Sequence, residues 1–109
     1  MSLPSQDVDR VTRWCATRLP ESVRDAVRTE CDVQDGFVTI LESRIPHQGR
    51  PGSSWNRSPV ARLQFAGTWT LYWRDRQGAF QRYEFLAPSR SVDDLLAELD
   101  RDPIAIFWG

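Results

Sequence analysis

Residues 58–75 read SPVARLQFAGTWTLYWRD. Two runs of strand-like alternation meet at Ala66-Gly67, the pattern of a hairpin with one buried face. Ala61, Leu63, Phe65, Trp69, Leu71 and Trp73 fall on one side, and Val60, Arg62, Gln64, Thr70, Tyr72 and Arg74 on the other. Pro59 stands at the strand entrance, where its missing N–H takes nothing from the ladder. The rest of the chain reads as cover for this hairpin.

Downstream, Asp75 to Gly78 (DRQG) suits a type I turn closing on glycine, after which Gln81, Tyr83 and Phe85 alternate against Phe80, Arg82 and Glu84. A third strand is expected there, giving a meander. Upstream, Asp35-Gly36 is a two-residue hairpin signal in which both positions favour positive φ. With that turn, Val33 faces Val38 and Cys31 faces Ile40 on one side of the sheet, while Asp32 meets Thr39 and Glu30 meets Leu41 on the other.

Helical spacing governs both ends. Val8, Val11, Cys15 and Leu19 recur as one stripe with Trp14 beside it, and Ser5 or Asp7 is placed to cap that helix before it stops near Leu19-Pro20. Val23, Ala26 and Val27 predict a second short helix from Glu21, with Pro20 in its first turn. A helix-turn-helix reading of this pair is disfavoured, because Glu21, Asp25 and Glu30 make the second segment too acidic to lie along phosphates. Ser91 with Asp94 forms a capping box ahead of Val92, Leu95, Leu96 and Leu99, an amphipathic helix that Asp102-Pro103 ends. The apolar tail 104–108 must dock, as a last strand or as extended cover. The expectation is a single α+β domain over 1–109. It has two layers: a mainly antiparallel sheet of about five strands, covered by two N-terminal helices and one C-terminal helix.

A chain of 109 residues buries enough surface to fold without metal or disulfides. Cys15 and Cys31 are far apart in sequence and form no CxxC pair, which predicts reduced, partly buried thiols. The N-terminus has no basic stretch followed by an apolar run, and no run approaches a membrane span, so a cytoplasmic protein with no membrane contact is expected. The net charge of −1 removes any blanket attraction to nucleic acid. All 14 basic residues are arginine, whose planar guanidinium stacks on rings and forks onto carboxylates or phosphates.

No catalytic residue, metal ligand set or cofactor motif emerges. The single histidine, His47, lies in the glycine- and proline-broken stretch 44–57 with no nucleophile elbow in the chain, and the absence of lysine removes any phosphate loop of the Gly-x-x-x-x-Gly-Lys type. Two surfaces remain. The sheet face opposite the helices gathers Arg62, Gln64, Tyr72, Arg74, Phe80 and Arg82, a mixture favoured at protein interfaces, and points to a protein partner or a second copy of the chain. The same face, with Tyr72 and Phe80 as stacking platforms, is the alternative site for single-stranded nucleic acid. The loop with His47, Arg50, Trp55 and Arg57 is the second surface, the place for an enzyme or small-ligand site if there is one, with Trp55 expected to pin the loop to the body.

The segments SPVA (58–61), W-x-LYW (69–73), F-x-x-YE (80–84), SVDDLLAELD (91–100) and the ending DP-x-x-x-FWG (102–109) together resemble the bacterial family called domain of unknown function 3024. The resemblance runs over nearly the whole chain and implies an α+β domain with no established activity. One departure is visible: relatives often have Trp-His where this chain has Phe80-Gln81, so any role of that histidine is absent here.

Overall fold

The computed structural model of the chain describes residues 2–45 and 55–108. Five antiparallel strands run in the order β1 Val27–Gln34, β2 Phe37–Arg44, β3 Asn56–Phe65, β4 Trp69–Arg74 and β5 Phe80–Arg82. Helices α1 Ser5–Thr17 and α2 Val92–Arg101 pack on one face of this meander. The α+β class and the five-stranded antiparallel sheet match the sequence reading.

The register of the first hairpin is the expected one, with Val33 opposite Val38, Cys31 opposite Ile40, Asp32 opposite Thr39 and Glu30 opposite Leu41. Only Gly36 of its turn has positive φ (89°); Asp35 does not, so one left-handed residue suffices. In the central hairpin Leu63 faces Leu71 and Phe65 faces Trp69, with Gly67 left-handed at the turn. Between β2 and β3 the ladder slips at Ile40/Leu41, where Ile40 pairs with Ala61 but Leu41 pairs with Pro59. Val60 is the extra residue of this bulge, and both Val60 and Ala61 are buried.

The core joins Val11, Trp14 and Cys15 of α1 and Leu95, Leu96 and Leu99 of α2 to Val38, Ile40, Leu63, Trp69, Leu71 and Tyr83. Trp69 is 0% exposed, and its indole N–H donates to Asp7 Oδ2 of α1 at 2.9 Å. The Trp69 backbone also exchanges hydrogen bonds with Ser89, at 2.6 and 2.9 Å, which places the start of α2. Two polar groups are buried with partners: Tyr83 donates its O–H to Glu98 at 2.6 Å, and Arg101 holds the other carboxylate oxygen at 2.5 Å. Trp14 donates to Asp100 and Trp108 to the Leu99 carbonyl, while the Arg18 guanidinium lies 3.7 Å from the Trp108 ring centroid. Burial lowers the Arg18 pKa against the opposing pull of Asp100.

Several expectations are corrected. The second N-terminal helix is absent: Glu21–Val23 makes one 3-10 turn, and the chain enters β1 at Val27, so two helices stand where three were expected. The Val23/Ala26 stripe finds no core, since both are exposed, and the Ala26 carbonyl already accepts from Ile45 N–H as part of the sheet. Neither Ser5 nor Asp7 caps α1; Pro4 holds that position, and Asp7 is drawn to Trp69 instead. The Ser91 cap is likewise unmade, because Ser89 Oγ donates to Asp94 and accepts from Ser91 N–H. β5 ends at Arg82, leaving Phe85 70% exposed, and Val33 lies beyond the helices at 45%. β3 starts at Asn56, so Asn56 and Arg57 belong to a strand and not to the loop.

The tail is neither strand nor extended cover. Asp102, left-handed at φ 39°, turns its carboxylate onto the backbone N–H groups of Ile106, Phe107 and Trp108 at 3.0, 3.2 and 3.0 Å. This folds the chain back so that Phe107 is buried against Tyr83, with ring centroids 5.1 Å apart.

Asp102→Asn keeps a residue that tolerates positive φ but replaces an anionic acceptor by one amide oxygen, and is expected to cost ~1–3 kcal/mol with an unchanged denaturant slope. A urea midpoint equal to that of the parent would contradict the tail anchor. Burial first, and the Glu98 hydrogen bond second, push the Tyr83 phenol up to about 12. The folded state therefore holds its proton more tightly than the unfolded chain. This stability is complete below about pH 10 and falls by ~1.4 kcal/mol per pH unit until the folded value is passed. In Tyr83→Phe that slope between pH 10 and 12 is expected to disappear from alkaline unfolding curves.

Candidate functional site

The register places the six sheet residues picked from the sequence on one face. Arg62 pairs with Tyr72 and Tyr72 with Arg82 in one row across β3, β4 and β5, Gln64 pairs with Thr70 in the next, and Arg74 pairs with Phe80. Gln64, Arg74 and Arg82 are exposed, and Arg62, Tyr72 and Phe80 are half-buried by one another, with neither helix above them. The same rows reach β2 and β1 through Thr39 and Asp32.

Arg62 is the centre of this face and is not a free cation. Its guanidinium carbon lies 4.3 Å from the Phe37 ring centroid and 4.2 Å from that of Phe80, and its buried Nε has no hydrogen-bond partner. Arg62 thus acts as a flat, apolar-faced spacer that fixes Phe37 and Phe80. Arg74 bends over the β4–β5 turn, within 3.2 Å of where a Cβ on Gly78 would stand. Among the described residues no carboxylate pairs with Arg62, Arg74 or Arg82. Asp75, beside them, is occupied: the Gln81 side chain and the N–H groups of Ala79 and Gln77 hold its carboxyl below the ordinary carboxylate range.

The second surface is built differently. Trp55 stacks on Arg28, 4.2 Å from guanidinium carbon to ring centroid, and so pins the start of β3 to β1. Arg57 donates to Glu30 from Nε at 2.9 Å and from Nη2 at 2.8 Å, and Ser43 Oγ donates to the same carboxylate oxygen at 2.8 Å. Those bonds, Ser43 first, lower the Glu30 pKa. Trp55 and Arg57 are therefore committed to contacts within the protein. His47 and Arg50 lie outside the described residues.

Sequence reasoning missed a groove. A 540 Å³ depression runs along the free edge of β5, lined by Trp73, Arg82, Tyr83, Phe85, Ile104 and Ile106, with Asp75 and Glu84 on its rim. Phe85 and Ile104, 70% and 47% exposed, form its open apolar lips. Of the tryptophans only Trp73 touches it; the others fill the core or pack on neighbours. The signal for it was the phenylalanine that follows a buried tyrosine by two residues, which is inward only if the strand continues. Among the described residues no group of three or more His, Cys, Asp or Glu is arranged to hold a metal, and no helix is long and apolar enough to cross a membrane.

The whole chain, residues 2–109, matches the family described as Domain of unknown function (DUF3024). The chain belongs to the DUF3024 family. The match spans α1, the sheet, α2 and the Asp102-anchored tail, so both the open face and the β5 groove lie inside the DUF3024 domain. Comparison with curated proteins and with solved structures gives no match.

Proposed function

We propose that this DUF3024 chain is a protein-interaction module whose open sheet face and adjoining groove take an acidic segment of a partner protein that carries an apolar anchor. One observation supports this most. Arg74 and Arg82 are exposed and without a carboxylate among the described residues, and Arg82 is also a wall of the groove whose lips are Phe85 and Ile104. Unpaired guanidiniums beside an apolar slot are suited to carboxylates flanking a buried Leu or Phe. Glu84 stands exposed on the same rim, so the surface is selective in its charge pattern and not uniformly basic.

Two other occupants fit less well. A second copy would have to offer Glu30 and Phe37, but Glu30 is held by Arg57 and Ser43, and Phe37 by Arg62. A single strand of nucleic acid needs free rings, and the Phe80 ring is already covered by the Arg62 guanidinium, which leaves Tyr72 as the stacking platform.

Fluorescence anisotropy tests the reading with labelled Asp/Glu-rich peptides containing one Leu or Phe, their Asn/Gln counterparts and mixed-sequence single-stranded oligonucleotides. The acidic peptides are expected to bind, more weakly as salt rises, and to lose ~10-fold or more in affinity with the Arg74→Glu, Arg82→Glu double variant. Both sites are exposed, so the variant should keep the parent's circular dichroism. Peptide binding that is absent or indifferent to the variant overturns the reading. So does oligonucleotide binding that the variant abolishes, or a homodimer in light scattering that it dissociates.

A further inference from the structure

Cys15 and Cys31 are separated by fifteen residues in sequence, but the fold brings them together. Cys15 lies in the last turn of α1 with 6% exposure, and Cys31 is half-buried in the edge strand β1. Their thiols are neighbours across the α1–β1 contact and open on the same depression. One helical turn before Cys15, Thr12 Oγ1 stands 3.7 Å from Cys31 Sγ and 2.8 Å from the Val8 carbonyl, so its single proton can serve either acceptor. Both sulfurs line a 300 Å³ depression at the α1–β1 edge together with Thr12, Ala16 and Arg57.

This is more than two thiols stored in a core. A buried structural cysteine is inert, whereas a reactive one combines access, hydrogen-bond donors aimed at its sulfur and a neighbouring thiol able to resolve the first adduct. Cys31 has the access, and the donors are Cys15 S–H and, after rotation, Thr12 O–H. Those two donors, Cys15 first, draw the Cys31 thiol down to about 6 against burial and the carboxylates of Asp32 and Glu30. The same contact and burial push Cys15 upward, with Arg18 opposing. The charges at the rim cancel, since Arg57 is paired with Glu30. A small disulfide of little net charge can therefore approach without a penalty from either sign.

We propose that Cys31 and Cys15 form a thiol–disulfide exchange site for low-molecular-weight disulfides, with Cys31 as the attacking sulfur and Cys15 as the resolving one. In the first step the Cys31 thiolate attacks a small disulfide RSSR: a Cys31–S–SR bond forms, the S–S bond of the reagent breaks, and RS⁻ leaves. In the second, the Cys15 sulfur attacks Cys31 Sγ, its proton going to a departing thiolate. The Cys15–Cys31 disulfide forms and the second RSH is released. The protein loses two electrons and two protons, and the reagent becomes two thiols. The product ties α1 to the outer strand of the sheet.

The test uses the full chain and 2-hydroxyethyl disulfide, read by intact mass without reductant and by thiol titration. The expected product is two hydrogen atoms lighter than the starting protein, with both thiols gone and no adduct retained. Cys15→Ser is expected to stall as the mixed disulfide at Cys31, and folded Cys31→Ser to stay unmodified. Iodoacetamide at neutral pH should alkylate Cys31 at least ~10-fold faster than Cys15. A stable mixed disulfide on the parent, or two thiols that react only in denaturant, overturns the proposal. The parent's mass decides even if a variant fails to fold.

Discussion

Trp69 is the residue on which the layers agree. Its ring is fully enclosed, its indole N–H is tied to Asp7 of α1, and its backbone is bridged to Ser89 at the threshold of α2. A buried indole donor needs an acceptor, and here the acceptor is supplied by the one helix that has no other polar link to the centre of the sheet among the described contacts. Because β4 is flanked by strands on both sides, fixing Trp69 fixes α1 and α2 relative to the middle of the meander. Phe65, packed on the same ring at 5.1 Å between centroids, carries that constraint back across the hairpin.

The C-terminal half relies on two carboxylates used in opposite ways. Glu98 is 5% exposed and is held in the core because Tyr83 and Arg101 satisfy its oxygens. Asp102 does not pair with a side chain; it collects three backbone donors and thereby shapes the tail into a hook over Tyr83 and α2. The groove exists because of this hook, since Ile104 and Ile106 form its far wall. The packing that closes the core on one side thus leaves a slot on the other, next to the arginines of the open face.

What the sequence made legible was local and periodic. The first hairpin's pairing followed from Asp35-Gly36 and alternation, and the central hairpin from Ala66-Gly67, because short-range geometry decides both. The second helix was misread because Val23, Ala26 and Val27 fit a helical stripe that tertiary packing never covers, and Val27 is already strand. Asp7 and Asp94 fit capping positions, yet distant or neighbouring donors outbid those local roles. The side on which Arg62, Arg74 and Arg82 stand was readable from period two. That Arg62 is spent on Phe37 and Phe80 was not, since that depends on distances across three strands. The meeting of Cys15 with Cys31, and the groove at Phe85, arise from helix-to-sheet docking and an early strand end, neither of which leaves a spacing in the chain.

The bulge at Val60 divides β3 into two halves of opposite facing parity. From Ala61 onward odd-numbered side chains face the helices; before Val60 the parity is inverted, so that Arg57 arrives on the side where Glu30 waits. An insertion or deletion of one residue is thus unequal along this strand. Lost from the loop, a residue merely shortens a connection, and lost at Val60 it only irons out the bulge, leaving Pro59 opposite Leu41; lost at Ser58 or Pro59, it would turn over the residues before it, sending Arg57 beneath the sheet opposite Glu42. Length variation among relatives of this chain should accordingly accumulate before Asn56, be tolerated at Val60 and be purged from Arg57 to Pro59.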